Sequence, residues 1–173
     1  VDVSKVETYV KAEEIGVSLN ELPITSELRA NGFSVSDNAD SICFDITVQG
    51  GEAIITGLKD HVCLHNHNNL VIPDTLDGYT VTAIAKDAFA NQSGLVKVVV
   101  PASVSEIGNG AFGGCNNLKD IEFKSNDYYV MENGALYNAD RTLLHTYLSS
   151  NSALSFTVPA TVQHVNANAF KSA

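Results

Sequence analysis

The stretch Val99-Val100-Pro101-Ala102-Ser103-Val104-Ser105-Glu106-Ile107-Gly108-Asn109-Gly110-Ala111-Phe112 decides the fold, because its skeleton occurs three times. The second copy is Val71-Ile72-Pro73…Ile84…Ala88-Phe89, and the third is Thr157-Val158-Pro159…Val165…Ala169-Phe170. In each copy the aliphatic residue stands five positions before the phenylalanine, while the residues between them differ. Phe89 to Phe112 is 23 residues, and so is Leu95 to Leu118. A short period with fixed apolar positions and free polar ones is the pattern of a solenoid, in which each unit buries the face of its neighbour. Such a molecule presents surface more readily than it builds a cleft.

Outward from this core, the apolar residues define the unit. Val96, Val98 and Val100 alternate, as expected of a strand, and the proline ends it because it has no N–H for a ladder. Ile121 and Phe123 fall one period after Val98 and Val100 and predict the next strand. Val104, Ile107, Ala111 and Phe112 are spaced as one or two helical or 3₁₀ turns, so each unit reads as strand, turn and short helical return.

Phe112 to Phe170 is 58 residues, two periods with a surplus of 12, and the surplus falls in residues 128–152. There Gly134–Tyr137, Asn138–Arg141 and Thr142–Leu144 read as strand, turn and strand, a hairpin enlarging one repeat. The copy that begins at Val71 carries an insertion of its own at Asp77-Gly78-Tyr79. Insertions in solenoids collect on one face, often the binding face.

Before the repeats, Ile42, Phe44, Ile46 and Val48 alternate up to Gly50-Gly51, and Ala53–Thr56 follow, which predicts a β-hairpin over 42–57. Residues 1–40 differ in character. Val3, Val6 and Val10 predict an amphipathic helix stopped by Gly16, and a second helical stretch is expected over Ser26–Ala30. Together they read as a helical N-terminal cap or linker, leaving 41–173 as the repeat domain.

The 173-residue chain carries 10 Lys+Arg against 20 Asp+Glu, a formal charge of −10, which disfavours nucleic acid and anionic membrane as partners. No apolar run is long enough to span a bilayer, so membrane insertion is not expected. Three cysteines, Cys43, Cys63 and Cys115, are too few for a disulfide framework. Cys115, three residues after Phe112, is expected to be a buried thiol. Cys43 is expected to face away from the hairpin core, and a Cys43–Cys63 bridge is compatible with the sequence.

The residues resemble the BspA-like, treponemal-type leucine-rich repeats over Phe44–Ala173. The resemblance rests on the hairpin around Gly50-Gly51, on Leu70-Val71-Ile72-Pro73…Gly78-Tyr79…Val81-Thr82-Ala83-Ile84, on Ala111-Phe112-Gly113-Gly114-Cys115-Asn116-Asn117-Leu118 and on Asn133-Gly134-Ala135-Leu136-Tyr137-Asn138. The chain departs from that pattern at Tyr147-Leu148, where the family has Tyr-Pro, and at Gln92, which stands at the Cys115 position. The resemblance implies a β-rich α/β solenoid, a short curved array, and a bacterial cell-surface or secreted role in adhesion and protein binding.

Gly108-Asn109-Gly110-Ala111-Phe112-Gly113 matches the dinucleotide fingerprint G-x-G-x-x-G, but the other copies have Ala85, Asp87 and Ala90 or Asn166, Asn168 and Lys171 at the glycine positions. Without a βαβ context the match is drift on a repeat. His61, Cys63, His65 and His67 alternate, so an extended segment would place four potential zinc or copper ligands on one face. Alternate residues on one strand stand about 7 Å apart, so a tetrahedral site needs a bend; the plainer reading is a polar loop. Ser36–Asp40 lacks the spacing of a calcium loop. Neither G-x-S-x-G nor H-E-x-x-H occurs, so no catalytic residue and no cofactor is expected.

Tyr79, Tyr128, Tyr129, Tyr137 and Tyr147 cluster in the two insertions. They read either as amphipathic anchors for a protein or sugar or as packing for the hairpin. The expected function is a non-enzymatic, extracellular or cell-surface module that binds a protein ligand; an architectural spacer and a carbohydrate-binding module are the alternatives. Ala173 falls at the Cys115 position of its unit, so an apolar edge is expected there, covered by further polypeptide or by a partner.

Overall fold

The computed structural model describes residues 43–59, 69–148 and 155–171, all within the compact unit Ser36–Ala173. The helices expected over Val3–Val10 and Ser26–Ala30, and with them the helical cap, lie outside the described residues.

The opening hairpin consists of β1 (Phe44–Gln49) and β2 (Glu52–Leu58). Gly50 and Gly51 both take positive φ at its tip, where no Cβ would be accommodated without strain. The repeats contribute β3 (Asn69–Val71), β4 (Thr75–Leu76), β5 (Tyr79–Ile84), β6 (Lys97–Val100), β7 (Glu106–Ile107) and β8 (Asp120–Phe123). The enlarged repeat and the last copy add β9 (Tyr129–Glu132), β10 (Ala135–Asn138), β11 (Leu143–Tyr147) and β12 (His164–Val165). Three sheets result: β1-β2-β5-β4 with β7 also on β5, then β3-β6-β8, then β12-β11-β10-β9.

Register carries the repeat into three dimensions. In the parallel sheet β3-β6-β8, Leu70 pairs with Val98 and Val98 with Ile121, as the period of the valines predicts. On the other sheet Ile55 pairs with Ile84 and Ile84 with Ile107. All six point inward and are at most 5% exposed. Between the sheets, Phe89 stacks on Phe112 at 5.7 Å, with Phe44 edge-on to Phe89. The turns form a ladder of their own: Phe89 N–H donates to Ala111 O at 2.9 Å and Asn91 N–H to Gly113 O at 2.8 Å.

The expected helical returns are not formed. After β7 the chain advances by single turns, with Ala111 N–H on Gly108 O, Gly113 N–H on Gly110 O and Cys115 N–H on Phe112 O. The cause is a left-handed residue ahead of each Ala-Phe pair: Asp87, Gly110 and Asn168 take φ of 56°, 71° and 69°. Left-handed backbone stops a right-handed helix, and Gly, Asn and Asp tolerate it best. From β3 onward the described residues are therefore strand and turn, without the α component expected of an α/β solenoid. The glycines of the G-x-G-x-x-G match are explained likewise: Gly110 holds the left-handed position, and Gly108 lies against the backbone of Ala85 and Lys86.

Sheet β12-β11-β10-β9 divides two cores. Leu136 and Leu148 belong to the large core of the first repeats, whereas Ala135, Tyr137, Leu144 and Tyr147 form a smaller second one. The expected hairpin forms, β10 pairing antiparallel with β11, and β9 adds a third strand on the outer edge of β10, pairing Tyr137 with Val130. Cys43 packs on the large core and is disulfide-bonded, correcting the outward orientation expected for it; Cys63, with which the sequence allows a bridge, lies outside the described residues.

Phe112→Ala should destabilise by about 3–5 kcal/mol in urea unfolding, and Phe170→Ala by less than half as much, since Phe112 is 1% and Phe170 40% exposed. Gly108→Ala should cost about 1–3 kcal/mol through forced backbone displacement.

Candidate functional site

The five tyrosines do not form one surface. Tyr79 lies at the β4–β5 turn and is 40% exposed, and Tyr128, just before β9, is 51% exposed. Tyr137 and Tyr147 are 2% and 6% exposed. Tyr147 packs between Phe156 at 4.5 Å and Phe170 at 5.6 Å, so these two rings fill the second core and reach no ligand. Tyr129 is half-buried, stacked on Phe123 at 5.8 Å. Only Tyr79 and Tyr128 offer substantial ring surface, and they belong to different parts of the fold.

Tyr129 has a structural task. Its hydroxyl accepts the Ile107 N–H at 2.8 Å, and His145 Nε2 meets Ile107 O at 2.8 Å. Ile107 is on β7, at the end of the ladder Ile55–Ile84–Ile107, so two side chains stand where the next strand's backbone would pair. The His145 ring lies edge-on to Tyr129. Since Ile107 O can only accept, Nε2 carries the proton, and Nδ1 accepts from Thr146 Oγ1 at 2.8 Å. Asn126 completes the joint. Its Nδ2 donates to Val104 O at 2.7 Å, and its Oδ1 accepts the Tyr128 and Tyr129 N–H groups. Burial pushes the Tyr129 hydroxyl pKa up and the His145 imidazole pKa down.

Nothing in the sequence singles out His145. In β11 the residues Leu144 to Tyr147 are all buried, because the strand has a core on each face, so the alternation that marks an outward side chain is absent. Asn126 gives one faint signal, its place at the boundary between the regular repeat and the insertion.

The outer face of β3-β6-β8 is the second feature. Val71, 52% exposed, pairs in register with Val99, and Val99 with Glu122. Beside them Lys97 Nζ reaches Glu122 at 2.6 Å and Asp120 at 3.4 Å across β6 and β8. The hydrogen bond to Glu122 raises the Lys97 pKa, and the same contact lowers that of Glu122. Exposed pairs of this kind add little stability; they border two valines with fixed charge, the arrangement of an apolar patch with a polar rim.

His61, Cys63, His65 and His67 lie outside the described residues. Among the described residues no group of three or more His, Cys, Asp or Glu side chains could hold a metal, and no helix is long and apolar enough to cross a membrane. Cys115 is a buried thiol, as expected. Its Sγ donates to Phe89 O at 3.0 Å, and burial pushes its pKa up, away from the reactive thiolate.

The BspA type leucine-rich repeat region matches residues 66–173 in six copies. Proteins built from this repeat are generally non-enzymatic protein-interaction or adhesion modules. Among solved structures, a leucine-rich repeat protein of T. pallidum shares 33% identity, covering 46% of this chain and 36% of its own, with a TM-score of 0.41. One from Eubacterium ventriosum shares 20% identity over 71% of this chain and 53% of its own, TM-score 0.44. One from Bacteroides ovatus shares 22% over 75% and 31%, TM-score 0.47. The chain thus spans between about a third and a half of the length of these proteins. No protein of curated function matches it.

The joint at Ile107 should be pH-dependent. The His145 pKa is lowered on folding, so between the unfolded value of about 6.5 and the lower folded one the unfolded chain binds a proton that the folded chain does not. Stability is then complete above about pH 6.5 and is lost as pH falls through that window. Urea midpoints measured from pH 8 to 5 should drop on the acid side, and His145→Gln, which keeps a donor for Ile107 O, should flatten the fall.

Proposed function

Because the chain belongs to the BspA-type leucine-rich repeat family, we propose that it is a protein-binding, adhesive module of a secreted or cell-surface protein, acting without catalysis. The observation that carries this reading is the outer face of β3-β6-β8. There Val71 is exposed in register with Val99, and Lys97, Asp120 and Glu122 border the pair. Tyr128 and Tyr79 supply further anchors, large rings with little conformational freedom to lose on binding. An exported location is supported by the disulfide-bonded Cys43, since structural disulfides persist in oxidising compartments.

The architectural spacer keeps one supporting observation: asparagine side chains are spent within the fold. Asn117 binds Ser93 O at 2.7 Å, Asn126 the Val104 carbonyl, and Asn138 both Thr142 and Leu143 N–H. A carbohydrate-binding role now rests on Tyr79 and Tyr128 alone.

The folded chain is screened against extracellular-matrix and plasma proteins, with a glycan array alongside. Binding to a protein should saturate, and Val71→Glu or Tyr128→Ala should weaken it about tenfold or more, the range of a 1–2 kcal/mol interface residue, with circular dichroism unchanged. Silence in both panels from folded protein would favour the spacer, and a hit confined to glycans the sugar-binding role.

A further inference from the structure

The charges on the outer face of β3-β6-β8 keep its valine pair bare. Lys97 and Val99 are two apart on β6 and share that face. A lysine there has an apolar stem with which to cover neighbouring valines. Instead Val71 stays 52% exposed, because both partners of Lys97, Glu122 at 2.6 Å and Asp120 at 3.4 Å, stand on β8, away from β3. One ammonium serves two carboxylates whose side chains remain about half exposed, and Lys124 pulls on Glu122 more weakly than Lys97 does. The face thus offers an apolar seat on one side and spare acceptor capacity on the other. The sheet sets the distance between the two. Val71 pairs with Val99 and Val99 with Glu122, so a side chain seated between the valines is one and a half strand spacings, about 7 Å, from the Glu122 position. Alternate residues of an extended chain share one face and are separated by the same distance, about 7 Å.

We propose that this face takes an extended segment of a partner protein that crosses the three strands, with an apolar side chain between Val71 and Val99 and an arginine or lysine two residues away on Glu122 and Asp120. The proposal rests on the protein-binding reading and names the chemistry of its partner. Arginine fits best, since its planar fork meets a carboxylate through two parallel hydrogen bonds. The formal charge of −10 on the whole chain steers a basic segment towards the face. The same charge repels a second copy of the chain as occupant.

Short random peptides displayed on phage are selected on the folded chain and, in parallel, on a charge-swapped variant. The variant combines Lys97→Glu, Asp120→Lys and Glu122→Lys, which preserves the ion pairs with their signs exchanged, and its circular dichroism should match that of the parent. The parent should enrich sequences with an apolar residue two positions from an arginine or lysine. The swapped variant should enrich the same spacing with aspartate or glutamate. A synthetic peptide from the first selection should bind the swapped variant, and Val71→Glu, about tenfold or more weakly, the scale of one charge-assisted hydrogen bond. No enrichment, enrichment without that spacing, or the same peptides from both selections would overturn the proposal. The protein-binding reading fails separately, by silence of the matrix and plasma panel. A ligand from that panel that is weakened by Val71→Glu but not by the charge swap keeps that reading and removes this one.

Discussion

In-register stacking of like residues is the interaction on which everything else in this chain depends. Leu70, Val98 and Ile121 form one column, Ile55, Ile84 and Ile107 another, and Phe89 on Phe112 a third. No single repeat has enough apolar surface to stand alone, and each becomes stable by covering the one before it. The polar positions are then free to vary, provided the chain can turn back in the same way every time. Left-handed backbone at Asp87, Gly110 and Asn168 secures that return with three different residue types.

The stacking changes character at Ile107. Upstream, the repeats are tied by strand ladders and by turn-to-turn backbone bonds. At the enlarged repeat the ladders β3-β6-β8 and β2-β5-β7 both stop, and sheet β12-β11-β10-β9 begins. Side chains bridge the change: Asn126 holds the preceding turn, and Tyr129 and His145 satisfy the two backbone groups of Ile107. Between Ile84 and Ile107 the strand ladder itself supplies such partners, as when Gly108 N–H donates to Ile84 O at 2.8 Å. The side-chain bridges are the cost of accommodating an insertion without leaving buried polar groups unpaired.

The strands, their register, the interior position of Cys115 and the false nucleotide fingerprint were legible because each is stated more than once along the chain. Ile121 beneath Val98 needed only the period of 23. What occurs once was not legible. Tyr137 and Tyr147 look like surface anchors in an insertion, yet they are core because β10 and β11 are covered on both faces, which periodicity cannot reveal. The return after Val104 suits a helix in its spacing of three and four, and a chain of tight turns places Ile107, Ala111 and Phe112 inward just as well. The candidate surface was less legible still. Val71 has the same residue type and place in its repeat as Val99, and its exposure follows from lying on the edge strand β3.

Replacement of ladder by side chains at Ile107 has a mechanical consequence. Tension along a solenoid is borne in series, and each parallel ladder shares it among several backbone hydrogen bonds. At this junction the share falls on a tyrosine hydroxyl, an imidazole and one asparagine amide. A pull along the array would therefore load this joint first, letting out slack while the stacked repeats on either side stay folded.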